Sequence, residues 1–139
     1  MIVLLAALAL AGQTPAEAAW TWTLYEDSPL VLANEVPDTS NLRSTFECDA
    51  GSSIARLTLY GAGAPGMARI SAGEASTVAE AEAGRAGSLK MTVRTDQPAF
   101  AAFAADGRLN VAMGDARQTV EVQASHLAKL RRFAELCSG

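Results

Sequence analysis

Short segments in which apolar and polar residues alternate run through most of this chain, and they constrain its fold more than any other feature. The segment "WTWTLYE" places Trp20, Trp22 and Leu24 on one side and threonines on the other. A period of two is typical of a β-strand that buries one face. Turn residues, as in "VPDTSN" after the second segment, separate the candidate strands. The pattern predicts a mainly β protein.

Eight further segments follow the same style. The segment "STVAEAEAGR" is ambiguous, since Ala and Glu favour a helix, but its period of two leads us to predict a strand. The last two segments are predicted to pair as a hairpin that turns at Gly114-Asp115. The eight segments are "PLVLANE", "RSTFECD", "IARLTLYG", "GMARISAG", "STVAEAEAGR", "SLKMTVRT", "RLNVAMG" and "QTVEVQA".

Two segments have helical signatures. In "DQPAFAAFAADG", Asp96 is the expected N-cap, Pro98 lies in the first turn and Gly107 follows the end. The closing segment has Ser125 as its expected N-cap, and an apolar stripe of Leu127, Leu130, Ala134 and Cys137. About ten short antiparallel strands, one short helix and a docked C-terminal helix predict a β-sandwich or an open barrel.

Residues 1–18 are predicted to be a cleaved signal peptide. The apolar run "MIVLLAALALAG" precedes Ala16 and Ala18, small residues of a cleavage site after Ala18 or Ala19. The run is shorter than the roughly 20 residues that cross a bilayer. Gln13 stands where a lipoprotein has its lipidated cysteine, so no stable membrane anchor is expected. Residues 19–139 then form a single β-rich domain in the periplasm, with secretion as the alternative.

The chain has only two cysteines, Cys48 and Cys137. In an exported protein they are expected to form one disulfide, with two buried free thiols as the alternative. The bond would close a loop of about 90 residues, which in the chain-entropy model is worth roughly 4–5 kcal/mol. The net charge of −4 and the lack of a basic stripe argue against a nucleic-acid partner.

The string "GAGAPG" matches the dinucleotide-binding fingerprint in its letters alone. Gly61, Gly63 and Gly66 have the required spacing. The fingerprint needs a helix after the glycines to receive the pyrophosphate. Here the strand-like "MARIS" follows, so the loop is predicted to be a flexible hairpin connection, and no cofactor is expected.

The sequence assigns no catalytic or metal-binding residue. His126 is the only histidine, and 11 residues of helix, about 16 Å, separate it from Cys137. One His and two Cys fall short of a structural zinc site. Glu80 and Glu82 share a strand face about 7 Å apart, within the range of a hydrolytic pair. A solvated strand face is the alternative for them, and a helix-boundary residue is the alternative for His126.

The aromatic residues of the first strand suggest a binding surface. Trp20 and Trp22 form either a stacking platform for a sugar or a hydrophobic partner, or part of the core. The nearby turn holds Pro37 and Asp38. We predict that any binding surface includes these four residues.

The second half of the chain resembles two families of exported bacterial proteins. The shared features are the helix "FAAFAADG", the strands "RLNV" and "TVEVQ", the closing "SHLAKLRRFAELC" and the "VPDTSNLRSTFEC" region. The families are the VasI-type periplasmic proteins associated with type VI secretion and the invasion-associated locus B proteins. The resemblance implies an exported β-sandwich with a disulfide-pinned C-terminal helix, and it transfers no catalytic residue.

The leading functional hypothesis is a non-enzymatic periplasmic binding or accessory protein that acts on an envelope protein. An inhibitor or immunity-type protein is one alternative. A small envelope hydrolase that uses His126, or Glu80 with Glu82, is the other.

Overall fold

The computed structural model describes residues 20–61 and 63–139, and in them nine antiparallel strands form one curled, half-barrel sheet. The predicted signal peptide, residues 1–18, lies outside the described residues. The predicted fold class is confirmed: the protein is mainly antiparallel β, with two helices, the last at the C-terminus. Nine strands form where about ten were expected.

The strands occur at the nine alternating segments. Their bounds are β1 Thr21–Glu26, β2 Leu30–Glu35, β3 Leu42–Cys48, β4 Ile54–Leu59, β5 Gly66–Ala72, β6 Ala75–Ala83, β7 Leu89–Arg94, β8 Arg108–Met113 and β9 Ala116–Glu121. Helix α1 spans Pro98–Asp106 and helix α2 spans Leu127–Ser138. The strand order in the sheet is β1-β2-β3-β4-β7-β6-β5-β8-β9.

The sheet has two halves that meet at β6. The first half contains β1 to β4 and β7, and the second contains β6, β5, β8 and β9. Strand β6 pairs with β5 from Ala75 to Ala81, but with β7 only at Glu82 and Ala83. Only these two register pairs join the two halves of the curled sheet among the described residues.

Both helices pack on the concave side of the sheet, around an aromatic cluster. Helix α1 contacts β5 and β6, whereas α2 contacts β1 and β2. The ring of Phe46 on β3 lies at the centre, with centroid distances of 5.3 Å to Phe103, 6.2 Å to Phe133 and 6.3 Å to Phe100. These four residues are all the phenylalanines of the chain. Aromatic pairs at these separations add to the burial energy that docks the helices.

The basic residues of α2 tie the helix to its neighbours. Arg131 donates to the carbonyls of Ala104 and Ala105, which the end of α1 leaves without helical partners. Arg132 forms an ion pair with Glu26 of β1. The sequence stripe correctly places these arginines outside the core, but it does not reveal these contacts.

Gly107 allows the chain to leave α1. Its φ of +84° is left-handed, and a Cβ there would lie 2.3 Å from the carbonyl oxygen of Val122. Only glycine satisfies both conditions. The expected helix end is therefore correct.

The two predicted N-caps are wrong. Gln97 is the N-cap of α1, since Asp96 instead forms an ion pair with Arg94 at 2.9 Å. A 3-10 turn, Ala124–His126, precedes α2, so His126 rather than Ser125 is its N-cap. In both cases a neighbouring interaction or turn outweighs local capping propensity.

The glycine loop after β4 opens no helix, as expected, but it is not a hairpin connection. Strand β4 pairs with β3 and β7, whereas β5 pairs with β6 and β8. The loop therefore carries the chain from the first half of the sheet to the second.

Candidate binding surface

The two cysteines lie where β3 ends and α2 ends. Their sulfur atoms are 1.99 Å apart and their Cα atoms 5.7 Å apart, so Cys48 and Cys137 form the predicted disulfide. No free cysteine occurs in the part of the chain that the structure describes. The bond fastens the end of α2 to the first half of the sheet.

The structure buries one residue of the predicted binding surface and leaves the others nearer to solvent. The predicted residues are Trp20, Trp22, Pro37 and Asp38. Trp22 is only 1% exposed and belongs to the core, so it cannot contact a partner. Trp20 stacks against the guanidinium of Arg43, 4.1 Å from its ring centroid. Pro37 and Asp38 are exposed in the turn after β2. Since Thr21 pairs with Glu35, Trp20 and this turn lie at the same end of the β1–β2 hairpin.

His126 lies half-buried at the start of α2, far along the helix from Cys137. Its Nδ1 is buried and has no hydrogen-bond partner among the described residues. Burial, together with the positive charge of Lys129, lowers the pKa of the imidazole. The neutral form is thereby favoured, but no described side chain orients it for proton transfer.

Glu80 and Glu82 occupy the outer side of β6 and are both exposed. Glu82 lies directly opposite Lys90 of β7 in the sheet register. A cross-strand pair of opposite charge accounts for this arrangement without a ligand.

Residues 20–61 and 63–139 contain no group of three or more metal-ligating side chains placed to hold an ion. In the same ranges, no helix has the length and apolar character needed to span a membrane.

The outer side of the second half of the sheet carries an unexpected surface, which we call the arginine face: Met67, Arg69, Val78 and Arg117. Met67 is 63% exposed and Val78 57% exposed, the largest exposures of any bulky apolar side chain among the described residues. They border a depression of about 500 Å³, which Arg69 and Arg117 also line. Exposed apolar side chains beside polar ones are typical of interaction sites.

The sheet register fixes the layout of the arginine face. Val78 on β6 is opposite Arg69 on β5, which is opposite Ala112 on β8. Ala112 in turn is opposite Arg117 on β9. One row of side chains across four strands therefore consists of an apolar residue, an arginine, a small residue and a second arginine.

The outer side of the first half of the sheet has a second depression, of about 460 Å³. We call this surface the tyrosine face; its ionisable side chains are Tyr25, Glu35, Glu47, Tyr60, Arg85 and Lys90. Its floor is a row of small, buried residues: Ala33, Thr45 and Thr58. Two carboxylates and two cations balance each other on this surface.

An internal hydrogen bond engages one of the tyrosines. The hydroxyl of Tyr25 donates to a carboxylate oxygen of Glu35, and this bond raises the pKa of the tyrosine. The polar groups of the tyrosine face thus interact partly with one another.

Both edges of the sheet are engaged at single positions by groups from elsewhere in the chain. The two-residue turn at Gly114-Asp115 makes Met113 and Ala116 a hydrogen-bonded pair, so the backbone of Arg117, Thr119 and Glu121 points to the free edge of β9. The indole N–H of Trp22 donates to the carbonyl of Glu121 at 3.0 Å.

Two further contacts lie at single positions along the edges. At the start of β9, a Cβ on Gly63 would lie 3.0 Å from that of Ala116, so the glycine loop lies against the strand there. On the other edge, Lys129 of α2 donates to the carbonyl of Trp22 at 2.7 Å. These contacts obstruct part of each edge to an added strand.

The sequence contains one signal for the arginine face. On β6, Val78 falls in the same alternating set as Glu80 and Glu82, opposite the alanines. A large apolar residue in the solvent-facing set of a strand marks an exposed apolar position. No sequence signal places Arg117 in the same row as Val78 and Arg69, because that row depends on the order of the strands in the sheet.

No protein-family model, no curated protein and no solved structure matches this chain. The resemblance to the VasI-type and invasion-associated locus B families stays a prediction.

Proposed function

We propose that this protein is a non-enzymatic periplasmic binding module that acts on an envelope protein through the arginine face. The observation that carries the proposal is the position of Met67 and Val78. Both apolar side chains are exposed on one face, next to two arginines and a depression. Burying them against a partner would be favourable at about 25 cal/mol per Å² of apolar surface.

The disulfide and the surroundings of the candidate catalytic residues support a binding role. The disulfide is compatible with an extracytoplasmic protein, where such bonds persist. The residues of the hydrolase alternative are less well supported, because the imidazole of His126 has no orienting partner and Glu82 lies opposite Lys90.

Site-specific photocrosslinking in the exporting cell tests the proposal. Thr119 is exposed and lines the depression, so Thr119→p-benzoylphenylalanine places a reactive group there. We expect a discrete crosslinked protein with this variant. The matched control is Thr92→p-benzoylphenylalanine on β7, an exposed threonine on the other half of the sheet, which we expect to give no such product.

The apolar side chains provide the decisive comparison. Met67→Ser with Val78→Ser should abolish the product of the Thr119 variant while the protein stays folded by circular dichroism. Equal products from the two labelled positions, or a product that persists in the double serine variant, would contradict the proposal.

A further inference from the structure

The charged side chains that line the depression of the arginine face are of one sign; Glu80, opposite Met67 in the sheet register, lies outside that lining. Among the described residues, Arg69 and Arg117 are the only charged ones that line its depression, and no Asp or Glu lines it. This contrasts with the chain as a whole, which has a net charge of −4. A cationic surface on an acidic protein requires a local explanation.

Arg69 and Arg117 differ in their partners from four of the other seven arginines of the chain. Four arginines, Arg56, Arg94, Arg108 and Arg132, each form an ion pair with a carboxylate. Within the described ranges, no carboxylate lies within ion-pair distance of Arg69 or Arg117. In the part of the chain that the structure describes, the only side-chain hydrogen-bond partner of Arg69 is the hydroxyl of Ser76, at 3.5 Å. Their guanidinium groups are available to an external anion.

The row on the arginine face has measurable dimensions. Neighbouring strands are about 4.8 Å apart, so the four positions from Val78 to Arg117 span about 14 Å. In an extended peptide, side chains on one side recur about every 6.8 Å, so residues i and i+4 are also about 14 Å apart. Ala112 between the arginines leaves room for the peptide backbone to approach.

We infer that the occupant of the arginine face is an extended acidic segment of a partner protein; this inference rests on the proposed function. The segment has an apolar residue over Val78 and carboxylates at the second and fourth positions after it, which reach Arg69 and Arg117. Guanidinium groups bind carboxylates through paired, charge-assisted hydrogen bonds.

Other polyanions fit this surface poorly. Proteins that bind duplex nucleic acid commonly neutralise about 6–10 phosphates, and lipid-binding patches cluster about 4–8 basic residues. The arginine face has two cations, fewer than either kind of polyanion requires. Two cations next to exposed apolar side chains instead match a short protein segment with two carboxylates.

The test uses a carrier protein that displays several copies of Leu-Ser-Glu-Ser-Glu, and the same carrier with Leu-Ser-Gln-Ser-Gln. We expect the Glu carrier to bind the exported protein at least about tenfold more tightly than the Gln carrier at low salt. Arg69→Gln with Arg117→Gln should remove that tenfold difference. Binding should also weaken as the salt concentration rises.

A matched control removes the same charge from the tyrosine face. Arg85→Gln with Lys90→Gln changes the net charge by the same two units and should leave binding of the Glu carrier unchanged. Phosphatidylglycerol vesicles and duplex DNA serve as alternative anions. Equal binding of the two carriers, binding to neither, or arginine-dependent binding to vesicles or DNA alone would overturn the inference.

The crosslinking assay separates the two proposals. If Met67→Ser with Val78→Ser abolishes the crosslinked product but the double arginine variant does not, the binding function stands and the acidic partner is wrong. If neither double variant changes the product, both proposals fail.

Discussion

The arginine face and the tyrosine face belong to one sheet and hold depressions of similar volume, about 500 and 460 Å³, but they differ in charge. The tyrosine face has two carboxylates and two cations, and one of its tyrosines bonds to one of those carboxylates. The arginine face has two cations, no carboxylate among its lining residues, and the most exposed apolar side chains. A concave shape alone is therefore a weak sign of a binding site.

The two halves of the sheet also differ in the contacts that hold them in place. The first half of the sheet contains Cys48, the Trp22 side chain and the ion pair of Glu26 with Arg132. The second half is held mainly by strand pairing and by α1. We therefore expect changes under the first half to alter stability, and changes on the arginine face to alter binding.

Removal of the disulfide is the change with the largest expected effect. Cys48→Ala with Cys137→Ala should lower the free energy of unfolding by roughly 4–5 kcal/mol, because the unfolded chain regains the entropy of an open loop of 89 residues. Urea unfolding without reductant measures this loss. Reduction of the wild-type protein is the matched control and should produce a similar loss. A loss below about 1 kcal/mol would contradict the assignment, as would altered binding of the Glu carrier by the folded variant.

Trp22→Phe should have the next largest effect. The variant loses the hydrogen bond to the carbonyl of Glu121, and it leaves that acceptor without a partner on β9. The expected destabilisation is about 1–3 kcal/mol, with faster amide exchange in β9, where Arg117 lies. Trp20→Phe is the matched control, since Trp20 only stacks on Arg43 near the surface. Equal losses of stability in the two variants would show that the hydrogen bond from Trp22 to Glu121 does not stabilise the protein.

The smallest expected effect concerns the pH dependence of stability. The pKa of His126 lies below its ordinary value of 6.5 in the folded protein, so protonation favours the unfolded chain. The contribution of the neutral imidazole to stability is therefore fully present above pH 6.5 and is lost as the pH falls below that value. Between pH 7.5 and 5.5, the melting temperature of the wild type should fall more than that of His126→Asn.

Binding to the Glu carrier should stay constant over the same pH interval. Arginines remain charged throughout it, and glutamates titrate near pH 4.3. Parallel melting curves for wild type and variant would contradict the assignment to His126.

Strands and helices were predictable from this sequence where one local pattern dominates. The segment "STVAEAEAGR" is instructive, because Ala and Glu favour a helix but the segment is β6. Its period of two places small residues, such as the buried Ala81, on the core side of the strand. The gain from burying these side chains outweighs the helix propensity of Ala and Glu. The N-caps at Asp96 and Ser125 were wrong because an ion pair and a 3-10 turn, neither visible in local propensity, occupy those positions.

The candidate site was harder to predict than the elements that carry it. Pro37 and Asp38 are exposed, as a surface turn requires, but Trp22 points into the core from the inner side of β1. The sequence left both outcomes open for this residue, because a large aromatic residue in an alternating strand suits either a core or a binding platform. Only the side of the sheet on which the helices dock separates the two.

The sequence by itself determined the period of the strands and the amphipathic last helix, since these depend on residues close in the chain. It predicted the bond between Cys48 and Cys137 with two free thiols as the alternative, and the structure decided for the bond. Tertiary structure decided which outward side chains share a face. Arg69 and Arg117 become neighbours of Ala112 only because β5 pairs with β8 and β8 with β9. That strand order depends on how the whole sheet buries its apolar side around two helices, and no single segment encodes it.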